Sequence, residues 1–226
     1  MGKLLFVDGN KIEMDGKLIV FEGVEGCGKT SQIKLCQKWL EELGLSVSVT
    51  REPGGTDLGV HIRRLLLDKT ESKSIAPRTE LLLYAADRAQ HVEQDLKPNL
   101  AWGTIILCDR FTDSTIAYQG YGRNLDMDLI NQLNEIATGG LNSDLTLWFD
   151  IDVEVGLGRK RKSGEAADRM ELEKIEFHHR VQRGYKELAA INSNTIVRID
   201  GSLALNAVFK KIQEILTPRL KEWGYL

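Results

Sequence analysis

Residues 23–30, GVEGCGKT, constrain the fold of this chain more than any other segment. They follow the apolar run LIVFE and precede SQIKLCQKWLEEL, in which apolar residues recur at helical spacing. Glycines allow a tight turn that directs successive backbone N–H groups inward, and the start of the next helix adds partial positive charge. Lys29 and Thr30 occupy the positions that contact the terminal phosphates and a Mg²⁺ ion. The segment, which we call the phosphate loop, predicts binding of a nucleoside triphosphate.

The rest of the chain alternates between apolar strand-like runs and helical patterns. Strands are predicted at 17–21, 46–50, 104–108, 145–149 and 195–199, and helices at 31–43, 77–100, 126–138, 152–162, 171–191 and 203–222. This alternation predicts an α/β fold, in which helices cover both faces of a parallel sheet. Residues 1–16 are expected to form an N-terminal extension, and residues 17–226 one domain. In the extension, LLFV and KIEM flank the turn signal Asp8-Gly9-Asn10, which favours a hairpin.

The composition of the chain disfavours nucleic-acid-binding, membrane-spanning and secreted proteins. The 226 residues allow a sizeable core, and a formal net charge of −3 provides no positive field that would favour nucleic acid. The sequence has no apolar run long enough to span a membrane, and its first residues lack the pattern of a signal peptide. Three cysteines without metal-ligand spacing favour a reduced protein. We therefore expect a cytoplasmic protein without nucleic-acid or membrane partners.

Cationic residues follow the first three predicted strands of the domain. Lys29 follows the first strand, Arg51 follows the second, and Arg110 comes directly after the third. Ligands of a doubly wound sheet bind beyond the carboxyl ends of its strands, so these cations are expected to converge. Arg110 could instead form a structural ion pair with Asp109. A guanine-reading Asn-Lys-x-Asp segment is absent from the late strands, which disfavours a GTPase. The convergence favours phosphoryl transfer between two nucleotides.

Five motifs together resemble the thymidylate kinases: FEGVEGCGKT, TREPGGT, YAADRAQH, DRFTDSTIAYQGYGR and DRME. The resemblance extends from about Lys17 to the C-terminal helix and is greater to the bacterial form. It implies a three-layer P-loop fold with a five-stranded parallel sheet in the order 2-3-1-4-5. It also implies a Mg²⁺-dependent homodimer that transfers the γ-phosphoryl group of ATP to dTMP.

The resemblance assigns residues to each nucleotide. Those at the ATP site are the phosphate loop itself: Gly23, Val24, Glu25, Gly26, Cys27, Gly28, Lys29 and Thr30. Those at the dTMP site are Glu25, Arg51, Glu52, Tyr84, Arg88, Arg110, Tyr118 and Gln119. Tyr84 matches a residue that stacks on thymine, and Arg88 matches one that reads the base edge. Tyr118 matches a residue packed below the sugar, which disfavours a 2′-hydroxyl. Without the resemblance, the sequence predicts that Tyr84 is a core aromatic.

Residues 158–171, GRKRKSGEAADRME, form what we call the basic segment. Charge runs are usually solvated helix ends, but a kinase also closes a lid over its phosphates, here expected at about 158–170. In thymidylate kinases a transition-state arginine comes from the phosphate loop or from the lid. Because this loop has none, the candidates are Arg159, Arg161 and Arg169.

The expected catalytic groups are therefore Lys29, Arg110 and a lid arginine, which would offset the repulsion between two polyanions. Asp109 and Thr30 are expected to position Mg²⁺. Two other functions stay open: a kinase of another nucleotide or a deoxynucleoside, and a non-catalytic nucleotide-binding regulator. Cys27 is either a reactive thiolate beside Lys29 or a small buried apolar residue.

Overall fold

The structure is a computed structural model that describes residues 4–7, 10–13, 15–68, 75–162, 164 and 167–226. The strands are β1 Leu4–Val7, β2 Asn10–Glu13, β3 Lys17–Glu22, β4 Val47–Arg51, β5 Ile105–Asp109, β6 Leu145–Asp150 and β7 Ile196–Asp200. The helices are α1 Lys29–Glu42, α2 Asp57–Leu67, α3 Pro77–His91, α4 Lys97–Ala101, α5 Thr112–Thr115, α6 Met127–Thr138, α7 Val153–Lys162, α8 Ile175–Ile191 and α9 Leu205–Glu222. Two π-helical segments, Val92–Leu96 and Ile116–Gly122, follow α3 and α5.

The main sheet is parallel throughout, in the order β4-β5-β3-β6-β7. Numbered by chain position within this sheet, the order is 2-3-1-4-5, which confirms the predicted fold class. The register aligns Phe21 with Asp109, and Asp109 with Arg51. The carboxyl ends of three adjacent strands therefore lie level, and the residues that follow them open into the same space. β1 and β2 pair antiparallel in a separate sheet, and Asp8 and Gly9 of the predicted turn lie outside the described residues.

Both faces of the main sheet are buried, because alternate residues of the central strands enter different apolar clusters. Ile19 and Phe21 of β3 pack with residues of α1, α8 and α9, whereas Leu18 and Val20 pack with the π-helical segment Val92–Leu96. Each fully buried side chain of this kind stabilises the fold by about 1.5–3 kcal/mol relative to exposure. None of the helices in the described ranges is long and apolar enough to cross a membrane.

Three helical features differ from the sequence prediction. α2 was not predicted, since its exposed Leu58 and Leu65 interrupt the amphipathic pattern that Ile62 and Leu66 create by burial. The hydroxyl of Thr56 caps its start by accepting from the N–H of Gly59 at 3.0 Å. The helical stretch from Thr112 to Gly122 was also missed. The helix predicted from residue 171 begins at Ile175.

Candidate active site

A cavity of about 470 Å³ lies beyond the carboxyl ends of β3, β4 and β5. The phosphate loop forms one wall, and what we call the acceptor side, the predicted dTMP residues outside that loop, forms another. The predicted site residues that line the cavity are Glu25, Gly26, Cys27, Gly28, Lys29, Thr30, Arg51, Glu52, Tyr84, Arg88, Asp109, Arg110, Tyr118, Gln119 and Arg159. Gly23, Val24, Arg161 and Arg169 are not among its lining residues. The structure therefore brings most of the predicted residues together.

The phosphate loop is held by close backbone contacts. A β-carbon at Gly26, where φ is +69°, would lie 2.0 Å from the carbonyl oxygen of Gly156 in α7. Lys29 is buried and its ammonium donates to the carbonyl of Gly23 at 3.0 Å, so the cation lies against the loop. Cys27 is 3% exposed and belongs to the apolar core, which favours the buried alternative over an accessible thiol.

Arg110 lies at the centre of the site with a left-handed backbone, φ +72°. Its guanidinium donates to the carboxylate of Glu25, to Tyr118 Oη at 3.1 Å and to Tyr185 Oη at 3.1 Å. These contacts hold a conformation that is costly for a residue with a side chain. Burial alone would raise the pKa of Glu25, but Arg110, Lys29 and the hydrogen bond from Tyr118 lower it to about 2. Among the described residues, Arg110 therefore pairs with Glu25 rather than with the neighbouring Asp109.

A buried carboxylate beneath Arg110 was missed by the sequence analysis. Glu22, at the end of β3, accepts hydrogen bonds from Phe111 N at 2.8 Å, Ser114 Oγ at 2.6 Å and Tyr185 Oη at 2.7 Å. It fixes the turn that follows β5, and thereby the backbone of Arg110. The sequence signal was a charged residue at the end of an otherwise apolar strand.

Arg88 is almost entirely occupied by contacts within the protein. Its Nε donates to Glu52 at 2.7 Å, Nη1 donates to Thr115 and to Asn134, and Nη2 donates to the carbonyl of Phe111. Since arginine has five N–H groups, a single one is left for a ligand in the cavity. The contacts determine in which direction that group points.

Gln119 and Arg169 meet at a second buried carboxylate, Glu80. Gln119 Nε2 donates to it at 3.0 Å, and Arg169 Nη2 donates to its other oxygen. Arg169 Nε also donates to the carbonyl of Leu66 at 2.7 Å. Arg169 therefore links the basic segment to α2 and α3 through two of its five N–H groups.

The two remaining lid candidates, Arg159 and Arg161, lie in different environments. Arg159 lines the cavity and donates to the carbonyl of Gly201 at 2.9 Å. Arg161 is exposed and donates to the carbonyl of Leu157 within its own helix. Lys160, which the sequence analysis did not select, also lines the cavity. Of the three arginines, the geometry brings Arg159 to the site.

A further cation on the acceptor side, Arg63 of α2, was not predicted. It lines the cavity, and Nη1 donates to the carbonyl of Pro53 at 2.9 Å. Burial and the charges of Arg51 and Arg110 lower its pKa. No carboxylate in the described part of the chain forms an ion pair with Arg51 or Arg63. Adjacent arginines without carboxylate partners favour an anionic ligand at this wall.

Asp109 and Thr30 fit the predicted metal position in their chemistry. Asp109 Oδ1 is buried and has no hydrogen-bond partner among the residues that the structure describes. Both residues line the same cavity, at the phosphate loop and at the adjacent strand end. Carboxylate and hydroxyl oxygens are ligands of Mg²⁺, which proteins usually hold through few side chains together with substrate phosphates.

Comparisons with known proteins agree with this geometry. A family model described as thymidylate kinase matches residues 21–212. A thymidylate kinase of Nostoc punctiforme is 72% identical over 208 residues, 92% of this chain and 99% of that protein. One of Trichormus variabilis is 68% identical over 93% of this chain and 100% of that protein. A crystal structure of a thymidylate kinase from Ehrlichia chaffeensis has a TM-score of 0.74 at 33% identity, covering 89% of this chain and 99% of that one. The resemblance found in the sequence is confirmed.

Proposed function

The chain belongs to the thymidylate kinase family, and from this premise we infer that it transfers the γ-phosphoryl group of ATP to dTMP, giving dTDP and ADP. It is an ATP-dependent nucleoside monophosphate kinase, as the sequence predicted. Independently of the family match, the structural observation that supports this function is a single cavity lined by both the phosphate loop and the acceptor side. Its volume of about 470 Å³ lies within the usual range for a ligand site.

On the donor side, we assign the phosphate loop to the ATP phosphates. Successive backbone N–H groups and the start of α1 supply positive potential, and Lys29 adds a full charge. The contact of Lys29 with the Gly23 carbonyl keeps its ammonium beside the loop. This arrangement binds the triphosphate before reaction and offsets charge at the γ-phosphoryl group during reaction.

On the acceptor side, we assign Arg51, Arg63 and Arg110 to the phosphate of dTMP, and Tyr84 and Arg88 to thymine. The convergence of three arginines at one wall supports the first assignment. The single free N–H of Arg88, and the place of Tyr84 four residues earlier on α3, support the second. We assign Gln119 to the base as well, and its hydrogen bond to Glu80 fixes the orientation of its amide.

Sugar discrimination is assigned to Tyr118. Its hydroxyl donates to Glu25 at 3.1 Å and accepts from Arg110, so the ring has little freedom to move away from a ligand. A rigid ring below the sugar leaves no space or partner for a 2′-hydroxyl, which favours deoxyribonucleotides.

The transfer itself needs no strong general base, because the attacking phosphate oxygen is already anionic. The chain contributes by positioning and by charge: Lys29 and Arg110 on either side of the moving group, and Arg159 from α7. Arg159 is favoured over Arg161 and Arg169 because it lines the cavity. Thr30 and Asp109 would hold Mg²⁺, whose chemistry is to neutralise phosphate charge.

We also propose a homodimer. Large apolar side chains are exposed on α2, α3 and α6, and α3 packs against both of the other helices. They are Leu58 at 51%, Leu65 at 47%, Leu82 at 50% and Ile136 at 75% exposure. A second copy of the chain is the proposed cover for this face. The cytoplasm is the proposed location, supported by three free thiols, Cys27, Cys36 and Cys108.

A coupled ADP-release assay with dTMP, dUMP, UMP, CMP, AMP and GMP tests the proposed reaction. We expect dTMP to be the best acceptor, dUMP to be weaker, and ribonucleotides to be poor. Equal turnover of UMP and dTMP would contradict the acceptor assignment. Binding of ATP without turnover of any monophosphate would instead support the non-catalytic regulator.

A further inference from the structure

The motif YAADRAQH contains a histidine for which the proposed reaction has no role. His91, the last residue of α3, is fully buried and is not among the residues that line the cavity. It lies one helical turn after Arg88 and next to Glu52, and both of these residues do line the cavity. The two oxygens of Glu52 are divided between them: Oε2 is 2.7 Å from Arg88 Nε, and Oε1 is 2.9 Å from His91 Nδ1.

The surroundings of the ring determine which of its nitrogens carry protons. Because an ionised carboxylate can only accept, His91 Nδ1 must donate to Glu52. On the opposite edge, Nε2 lies 2.7 Å from Thr50 Oγ1 and 3.3 Å from a carboxylate oxygen of Asp95. The Thr50 hydroxyl can donate to a lone pair on Nε2 or accept from a proton there, but the Asp95 carboxylate can only accept, so a lone pair on Nε2 would face it without a hydrogen bond. The doubly protonated imidazolium is therefore the form that donates to both carboxylates.

The charged groups around His91 favour the same form. Glu52 follows β4, Asp87 and Arg88 lie on α3, and Asp95 lies on the following π-helical segment. Burial alone would lower the pKa of His91, but the hydrogen bond and charge of Glu52, with Asp95 and Asp87, raise it above 6.5. Burial and Glu52 also raise the pKa of Asp87 to about 6.

The ring also supports the backbone of the acceptor side. A β-carbon at Gly55 would lie 2.6 Å from the ring, so the backbone at Gly55 rests directly on His91. On the same face of α3, Asp87 Oδ1 accepts from Gly54 N at 3.0 Å. The ring and this carboxylate thus fix the segment that carries Arg51 and Glu52.

We propose that His91, as an imidazolium, is a positioning residue for the acceptor nucleotide: it holds Glu52, and through Glu52 it orients the guanidinium of Arg88. Without the donor on His91, Glu52 Oε1 loses its partner and draws a second nitrogen of Arg88 toward itself. The guanidinium then turns, and its free N–H no longer points into the cavity. The inference rests on the proposed role of Arg88 at dTMP.

The test compares two substitutions in full-length enzyme. His91→Leu removes both donors, and we expect KM for dTMP to rise about tenfold, the size typical of losing a hydrogen bond to a charged group. His91→Asn keeps a neutral N–H near Nδ1 and should recover part of that loss. For both variants kcat and KM for ATP should stay within about twofold of wild type, because Arg88 contributes to acceptor binding. His179→Asn, an exposed histidine on α8, is the matched control and should behave as wild type.

The dependence of KM for dTMP on pH is a second test, because a purely structural role of His91 predicts no titration that depends on its proton. In the wild type, KM for dTMP should rise on the alkaline side as His91 loses its proton. His91→Asn should lack this alkaline limb. Asp95→Asn, which changes a residue away from the cavity, should shift the limb to lower pH because it removes one of the charges that hold the proton.

Nitrogen NMR of the wild-type ring tests the proposal even where a variant fails to fold, with the His91 signals assigned in the wild type by triple-resonance correlation to its backbone. Both ring nitrogens should be protonated at pH 7, and saturation with dTMP should shift deprotonation to higher pH, since binding and protonation are linked. A neutral ring at pH 7, a titration insensitive to dTMP, or a folded Leu variant with unchanged KM would overturn the inference. Wild-type enzyme that does not phosphorylate dTMP at all would instead overturn the proposed function.

Discussion

The phosphate loop and the basic segment both combine glycines with cationic side chains, but the fold holds these side chains in different ways. The backbone of the phosphate loop is held by contacts within the loop and by backbone neighbours such as Gly156, its Glu25 pairs with Arg110, and its Lys29 remains at the cavity. The basic segment divides its arginines among three environments: Arg159 at the cavity, Arg161 in solvent, and Arg169 against Glu80. Local sequence defines the backbone of the first region, whereas distant partners define where the arginines of the second region lie.

This difference shows that the number of cationic residues in a segment does not indicate how many of them reach the active site. Arg169 would have to leave the buried carboxylate of Glu80 before it could reach a phosphate. Leaving a buried charge unpaired costs about 3–5 kcal/mol; Glu80 keeps Arg123 and Gln119, so the cost of this exchange is smaller but remains unfavourable. Arg159, by the contacts within the described part of the chain, gives up a hydrogen bond to one carbonyl.

The largest effect is expected in the phosphate loop. Lys29→Met keeps the length of the side chain and removes its charge, and we expect kcat to fall about a thousandfold, as for loss of a strong electrostatic contact to the transition state. Steady-state kinetics measure this, with circular dichroism to verify folding. A folded variant whose kcat is within tenfold of the wild-type value would contradict this prediction, because the loop would then not be the main source of positive charge at the transition state.

The second prediction concerns the ion pair that joins the loop to the acceptor side. The pKa of Glu25 is 4.5 in the unfolded reference and about 2 in the folded chain. Its ionised carboxylate therefore stabilises the fold above pH 4.5, and this contribution is lost as the pH falls toward 2. Glu25→Gln should be less stable than wild type at pH 7 by about 2–3 kcal/mol, with the difference shrinking in acid. Denaturant unfolding at several pH values measures it, and a difference independent of pH would contradict the assignment.

The third prediction tests the basic segment directly. Arg159→Ala should lower kcat about 10- to 100-fold with a smaller change in either KM, since it removes charge from the transition state. Arg161→Ala should keep wild-type kcat. Arg169→Ala should lower the melting temperature, because Glu80 loses a partner. If all three variants keep wild-type kcat, the basic segment is a solvated and structural region and the lid assignment is wrong.

The smallest effect is expected for Arg63, the cation that the sequence did not reveal. Arg63→Ala should raise KM for dTMP about three- to tenfold, and Arg63→Lys should recover part of it by retaining the charge. Arg64→Ala, the exposed neighbour on α2, is the matched control. An equal rise in KM for ATP would place Arg63 on the donor side instead.

The contrast between local contacts and distant partners also explains which parts of the fold and of the site could be predicted from the sequence. The five strands and their order followed from apolar runs and from the family resemblance. The loop residues followed from one contiguous motif. In contrast, the partner of Arg88 is 36 residues away and that of Arg169 is 89 residues away, so no local pattern indicates that their donors are occupied.

α2 shows the other limit of sequence reasoning. Its apolar residues lie on two faces, one toward the core through Ile62 and Leu66 and one exposed through Leu58 and Leu65. A single amphipathic period therefore does not appear, and Arg63 was overlooked together with the helix. The interpretation of Cys27 was open for a related reason, since a loop side chain can turn either way until its neighbours are known.

We propose that ATP and dTMP meet in one cavity between the phosphate loop and the acceptor side. A compound in which adenosine and thymidine are joined through five phosphates spans both proposed sites, and its inhibition pattern against each substrate tests whether the two sites adjoin. We expect competition with ATP and with dTMP, and an affinity well above that of either nucleotide alone. Competition with one substrate and not with the other would contradict it, because the two nucleotides would then bind in separate places.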